Sequence, residues 1–258
     1  FSKPTIKNIT LYDDKNNVLF NSPEVTANIS FKNLTKGRID ELKVNSAVVN
    51  VVRDKDGVIN FTKLSKTKSE EKPKNPLNKV VVSNVRVNYE DYTFPTKLER
   101  KIENINAVVT ANKEKLVETA DINIEDENIQ LETRFKDESN DKVASLQGEL
   151  RVDKFLLDKD LLKSLVNNKK LHFSDVNIIS DLSFKTDKTV KNTYITGNLD
   201  IISEFFRYDD IDSDIKDIKL SSKFNGRDGE ANLGLNIFGK NKDFSLAYKD
   251  KELNSVIT

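Results

Sequence analysis

The sequence predicts an all-β fold that contains one short helix. Side chains alternate strictly between polar and apolar along Glu24–Phe31, which is typical of a strand with one face in water. Short runs rich in Val, Ile and Phe recur through the 258 residues, with Gly, Asn and Asp between them, as in antiparallel strands joined by turns. Only 36% of the residues are hydrophobic and 33% are charged, which favours sheets that are apolar on one face.

The first 64 residues are predicted to form an N-terminal β unit. A hairpin joins Ile6–Leu11 to Val18–Phe20, and the alternating strand follows it. The β-rich run Leu42–Val52 leads into a tight turn at Asp56-Gly57, where the turn needs positive φ angles. A return strand is predicted to begin with Val58–Phe61.

A polar run separates this unit from the rest of the chain. Ser65–Lys79 contains two prolines, so it predicts a loop or linker rather than a central strand. The pattern then restarts, because Val81–Val87 echoes Thr5–Leu11 at a spacing of about 76 residues. The predicted organisation is therefore a unit over 1–64, a linker over 65–79 and a continued β region over 80–258.

After Val81–Val87, the continued region is predicted to hold nine further strands and the helix. Leu161, Leu162 and Leu165 follow helical spacing after Asp158, a good N-cap, which predicts a short helix near 158–167. The strands are Ile102–Asn112, Glu118–Glu125, Ile129–Phe135, Ala144–Val152, Val176–Lys185, Tyr194–Ile202, Ile215–Phe224, Ala231–Phe238 and Phe244–Lys249.

Composition argues against several classes of function. Basic and acidic residues balance at 42 each, so no net field attracts nucleic acid, and no nucleic-acid partner is expected. The chain has no Cys and His172 is its only histidine, so a thiol nucleophile and a histidine-rich metal site are excluded. No catalytic set, metal site or cofactor-binding loop stands out, and the sequence does not predict an enzyme.

Two architectures fit many alternating strands with almost no helix. Two sheets can cover each other as a closed β-sandwich, or one long, curved, antiparallel-rich sheet can form an open groove (a β-taco) with an apolar floor. A contiguous exposed apolar surface usually marks a binding site, and a long groove suits acyl chains. The predicted groove lining takes the apolar face of several strands: Val25, Ala27, Ile29, Phe31, Ile122, Ile124, Ile129, Leu131, Phe135, Leu233, Leu235, Ile237, Phe244, Leu246 and Tyr248.

Four segments near the N-terminus carry a family resemblance: Ile6–Asp13, Val18–Val25, Lys36–Ile39 and Val48–Phe61. The last is the most specific, because a β strand runs into Arg-Asp-x-Asp-Gly and then Asn-Phe. Together these segments resemble the N-terminal part of the AsmA/TamB family of envelope proteins over residues 5–64. Only general β patterning continues over 80–258.

The resemblance implies an open β groove that shields phospholipid acyl chains during transport between the inner and outer membranes. It implies a periplasmic fragment of a bridge protein that is anchored to the inner membrane in its full-length form. It also implies an outer-membrane barrel partner, reached through parts of the full protein that this chain lacks. Two alternatives stay open: a chaperone-like module for outer-membrane proteins, and a β-rich adhesin or surface interaction domain.

Overall fold

The computed structural model describes residues 3–65, 77–111, 117–139, 145–166, 168–187, 193–211, 213–249 and 252–257. The chain is almost all β, with 71% of residues in strands and 6% in helix, which confirms the predicted fold class. Internal contacts divide it into two compact units, Phe1–Asp126 and Glu127–Thr258, called unit 1 and unit 2 below.

Unit 1 contains one mixed sheet, in the order β1-β2-β3-β5-β6-β7, with β4 paired to β2 and β5. Its pairs are antiparallel except that β5 runs parallel to β3 and to β4. A short helix, α1, and a 3-10 helix lie outside the sheet. The elements are β1 Thr5–Tyr12, β2 Val18–Asn28, α1 Phe31–Leu34, β3 Glu41–Asn45, β4 Val48–Arg53, the 3-10 helix Asn60–Ser65, β5 Lys79–Asp91, β6 Leu98–Thr110 and β7 Thr119–Glu125.

Unit 2 contains an antiparallel sheet in the order β8-β9-β11-β12-β13-β14-β15-β16, with the short β10 paired to β12. The predicted helix forms, and the Asp158 side chain accepts a hydrogen bond from the Leu161 amide at 2.8 Å, as an N-cap does. The elements are β8 Ile129–Asp137, β9 Ser145–Leu157, α2 Lys159–Leu165, β10 Leu171–Phe173, β11 Val176–Asp187, β12 Tyr194–Tyr208, β13 Asp214–Gly226, β14 Asp228–Ile237, β15 Lys240–Lys249 and β16 Glu252–Ile257.

The sheets are open and largely uncovered. Neither closes into a barrel. The chain exposes 17744 Å², whereas two separate globules of half its mass would together expose about 13,900 Å². Few apolar side chains are buried in the described residues, which excludes the closed-sandwich alternative for each unit. They are Leu19, Val25, Ala47, Val85, Ala120 and Val152.

Several predicted boundaries in unit 1 are wrong for identifiable reasons. The run Leu42–Val52 is two strands, because Ser46 adopts a φ of 53° between them. The turn at Gly57 forms, with a φ of 78°, but its return strand is reduced to a bridge at Ile59 before the 3-10 helix. The alternating strand stops at Asn28 and Phe31 begins α1, a helix that the sequence did not predict.

The predicted division at 65–79 also differs from the observed one. β5 follows that segment in the chain, yet it pairs with β3 and β4, so both sides of the segment share one sheet. The observed division lies at Asp126 and Glu127. Most of the predicted linker, residues 66–76, lies outside the described residues.

Five related sequences place a residue with positive φ within a strand or between two strands. Each sequence has four residues in the same order: a β-branched residue, a polar residue, a short polar residue with positive φ and an apolar residue. Ile6-Lys7-Asn8-Ile9 is an example. At Asn84, Asn104 and Asp217 the pairing register shifts, so an extra residue forms a bulge there and apolar residues three positions apart lie on one face. The positive-φ residues, with φ of 51–54°, are Asn8, Ser46, Asn84, Asn104 and Asp217.

Candidate lipid-contacting surface

A row of apolar side chains crosses seven strands of unit 2 on one face. Residues that are direct partners across antiparallel strands point to the same face of a sheet, so the register identifies the row. Every member is half-buried, and at about 4.8 Å between strands the row extends about 29 Å. From β8 to β15 it consists of Ile129, Phe155, Ile178, Ile201, Leu220, Leu233 and Phe244.

The opposite face of the same strands is polar. A row that crosses from β8 to β14 holds only charged or amide side chains, all of them exposed: Glu132, Arg151, Asp181, Asn198, Lys223 and Glu230. Unit 2 therefore has one apolar face that is only half-covered and one face that water solvates. The face that carries the seven-residue row is called the apolar face below.

The predicted groove residues of unit 2 all lie on the apolar face. Ile129, Leu233 and Phe244 belong to the seven-residue row, and Leu131 and Leu246 belong to the next row. The others follow at alternate positions of the same strands: Phe135, Leu235, Ile237 and Tyr248. Sequence alternation thus identified the face, although whether lipid binds there stays a prediction.

Other strands complete the same face with residues that are not among the predicted lining residues. Ile178, Ile201 and Leu220 lie in strands that were predicted, whereas Phe155 lies beyond the predicted end of its strand at Val152. Only the pairing register shows that all four continue the row. The signal in the sequence was the alternation in those strands, which matches that of the strands that were assigned.

Unit 1 has its own apolar row, which crosses six strands. The residues are Ile6, Val25, Val44, Val82, Ala107 and Ile122. Ala27 and Ile124 lie in neighbouring rows of the same face, and Ile29 is half-buried just beyond the end of β2. Phe31 is the exception among the predicted lining residues. Because it belongs to α1 and is 80% exposed, it is no part of this face.

Two glycines allow close approach on the apolar face of unit 2. A Cβ atom on Gly148 would lie 2.8 Å from Cζ of Phe184, whose ring covers that glycine and packs 5.9 Å from the ring of Phe135. Gly197 has a φ of 122°, and a Cβ there would lie 2.0 Å from the carbonyl oxygen of Asp181. Gly148 therefore allows an aromatic ring to pack on the backbone, and Gly197 allows a backbone contact that a side chain would block.

A buried carboxylate anchors the Arg-Asp-x-Asp-Gly segment to β5. Asp91 is 1% exposed and accepts hydrogen bonds from the Tyr89 hydroxyl at 2.7 Å and the Thr93 amide at 2.9 Å. Arg53 Nη1 lies 3.4 Å from the carboxylate, and its Nε donates to the Gly57 carbonyl. Burial opposes ionisation, but the hydrogen bonds and the Arg53 charge outweigh it and lower the pKa of Asp91 to about 2.

Outside the Asp91 site, the only histidine of the chain makes a polar side-chain contact in unit 2. His172 Nε2 lies 2.8 Å from a carboxylate oxygen of Asp209, as an ordinary ion pair or hydrogen bond. Within the described ranges, no group of three or more His, Asp or Glu could hold a metal ion. The same ranges contain no helix long and apolar enough to cross a membrane. The interaction that the apolar face of unit 2 can offer is contact with the apolar surface of a ligand.

Comparison with family models, curated proteins and solved structures finds no match for this chain. The AsmA/TamB resemblance therefore stays a prediction from residues 5–64.

Proposed function

We propose that this chain binds phospholipid acyl chains on the apolar faces of its sheets and so shields them from water during transfer between two membranes. The observation that supports this function is the row of seven half-buried apolar side chains in unit 2, from Ile129 to Phe244. A contiguous apolar surface of this extent on a soluble chain generally serves a ligand, a membrane or a protein partner. The length of the row and the resemblance favour an acyl chain.

The energetics suit transfer without a catalyst. Burying an acyl chain of about 16 methylenes is worth roughly 13 kcal/mol at ~0.8 kcal/mol each, and leaving a bilayer costs nearly the same amount. An apolar face returns part of that cost while the chain is between membranes. The face thus lowers the barrier through water but supplies no direction.

The cellular setting follows from the resemblance alone. We place the chain in the periplasm, as part of a bridge protein that is anchored to the inner membrane and delivers phospholipid to the outer membrane. An outer-membrane barrel is the corresponding partner of the full-length protein. No cofactor enters this proposal, and the chain acts as a binding protein rather than an enzyme.

Adjacent isoleucines of β12 provide a matched test. Ile201 lies in the seven-residue row, whereas Ile202 lies on the opposite face and is 39% exposed. Purified wild-type protein is expected to carry phospholipid in native mass spectrometry. Ile201→Asp should lose that lipid, because a carboxylate in the row would have to be desolvated under the acyl chain, and Ile202→Asp should keep it.

Two outcomes would contradict the proposal: a wild-type protein free of lipid, or equal lipid loads in the two variants. Circular dichroism and thermal unfolding establish that both variants fold. If Ile201→Asp fails to fold, a photo-crosslinking amino acid at Ile201 or at Ile202 gives the same comparison. Crosslinks to lipid from the first position only are expected.

A specific observation favours a second candidate, a chaperone-like module for outer-membrane proteins. In the part of the chain that the structure describes, β1 pairs only with β2, so its other edge is open. Ile6 and Leu11 on this strand are 62% and 49% exposed. An open edge of this kind can pair with an extended client strand. Binding of unfolded barrel strands in preference to lipid would support this candidate.

A further inference from the structure

The short helix α1 carries two large apolar side chains that are exposed and lie within one helical turn. Phe31 is 80% exposed and Leu34 is 61% exposed. Residues three apart on a helix share one side, so both point outward together. Isolated exposed apolar residues are normal on surfaces, but an adjacent pair on one side of a helical turn forms a small exposed apolar patch.

The backbone around this pair is held firmly, which distinguishes it from a loose loop. The Asp40 carboxylate accepts hydrogen bonds from the Ser30 amide at 2.5 Å and from the Asn33 side chain. The Asp40 amide in turn donates to the Asn28 carbonyl at 3.0 Å, at the end of β2. The backbone and side-chain hydrogen bonds from Ser30 lower the pKa of Asp40, so the carboxylate stays ionised and keeps these bonds. The exposed pair is therefore fixed to the sheet.

Positive charge flanks the pair. Lys32 and Lys36 are exposed, and Arg38 follows at the end of the turn. The segment 31–38 contains these three basic residues and no acidic one. Asp40 offsets one of the charges while it binds the backbone. Segment 31–38 is called the docking tip below.

We propose that the docking tip binds unit 1 to the surface of a bilayer that contains anionic lipids. Phe31 and Leu34 enter the interface between head groups and acyl chains, and Lys32 and Lys36 lie against the negative head groups. An aromatic or aliphatic anchor with flanking lysines is the combination that interfacial binding requires, since apolar burial and attraction to anionic lipid add together. The inference does not rest on acyl-chain binding by the sheets, because α1 lies outside them.

Vesicle flotation with the full chain tests the docking tip. We expect the protein to float with vesicles of phosphatidylcholine and phosphatidylglycerol, and only weakly with vesicles of phosphatidylcholine alone. Replacing Phe31→Ser together with Leu34→Ser should lower apparent affinity for the mixed vesicles at least about tenfold. Replacing Lys32→Gln together with Lys36→Gln should weaken binding and reduce its dependence on salt.

A matched control uses Val58→Ser together with Ile59→Ser. These side chains are 40% and 38% exposed in the same unit, and they lie between β4 and the 3-10 helix. This control variant should float like wild type. The chain contains no Trp, so Phe31→Trp provides a single fluorescence reporter. Its emission should shift to the blue when mixed vesicles are added.

The inference is overturned if wild type fails to float with the mixed vesicles, or if the tip variant floats as well as wild type. Equal flotation with both vesicle types would overturn the role of the lysines. Native mass spectrometry keeps this result separate from the proposed function. The Phe31→Ser and Leu34→Ser variant should retain bound phospholipid, so a loss of flotation with lipid retained affects the docking tip alone.

Discussion

Replacing Asp91 by asparagine should destabilise unit 1 at neutral pH and leave it little changed in acid. The pKa of this carboxyl falls from its ordinary value of 3.8 to about 2 in the folded chain. At 1.36 kcal/mol per pKa unit, this corresponds to about 2 kcal/mol of folding free energy. Because the folded pKa is lowered, this stability is fully present above pH 3.8 and is lost as pH falls towards 2. Asp91→Asn removes the charge and one acceptor for Tyr89 and Arg53.

The assay is urea unfolding of both proteins, followed by circular dichroism, at several pH values from neutral to about 2. Hydrogen exchange of the β5 amides assigns the effect to unit 1. The difference between the two unfolding free energies removes the contribution of every other carboxylate, so it reports the contribution of Asp91. It should be about 2 kcal/mol at pH 7 and shrink below pH 4. A difference near zero at pH 7, or one that does not change with pH, would refute the account of this carboxylate.

Three further predictions concern the sheets. Gly197→Ala should lower the unfolding free energy by more than about 3 kcal/mol in urea titration, because Gly197 has a φ of 122° and the new Cβ would meet the Asp181 carbonyl. A variant as stable as wild type would show that the backbone relaxes there. Asn84→Ala should cost about 1 kcal/mol while Asn84→Gly costs almost nothing, since only the alanine resists a φ of 52°; equal thermal stabilities would contradict the bulge. Leu131→Asp should release co-purified phospholipid measured by extraction, whereas Gln130→Asp, on the opposite face of β8, should not.

Alternation made the fold class and much of the apolar face predictable. A strand that is half in water must alternate, so Ile129, Leu131 and Phe135 identified their face without knowledge of their partners. The helix α2 was predictable because Asp158 precedes leucines at helical spacing. Alternation and helix capping depend on residues close together in the chain, so the sequence alone reveals both.

The bulges were not predicted, because they break the periodicity on which the strand analysis depends. A residue such as Asn84 tolerates a left-handed conformation at little cost, so nothing in composition or hydropathy marks the position. The signal was present in the echo of Thr5–Leu11 by Val81–Val87, which aligns Asn8 with Asn84. The recurrence of a β-branched residue, a polar residue and then Asn, Asp or Ser is a specific pattern that other sequences can be searched for.

Phe31 shows a different limit. Its alternation with Ile29 continues the strand pattern, yet the Asp40 carboxylate binds the Ser30 amide and turns the chain into α1. Asp40 lies ten residues further along, so only the tertiary structure reveals the competition. The same event removes Phe31 from the sheet and leaves it exposed beside two lysines.

A ligand bound to the half-covered apolar face of unit 2 would stabilise the folded chain. Side chains such as Ile201 and Leu220 lose only part of their contact with water when the chain folds, so they contribute less than buried side chains do. Any molecule that binds the folded face and not the unfolded chain adds its own binding free energy to stability. An acyl chain across the seven-residue row would act in this way as a removable part of the hydrophobic core. The opposite face, with residues such as Arg151, is polar and exposed to water whether or not a ligand binds.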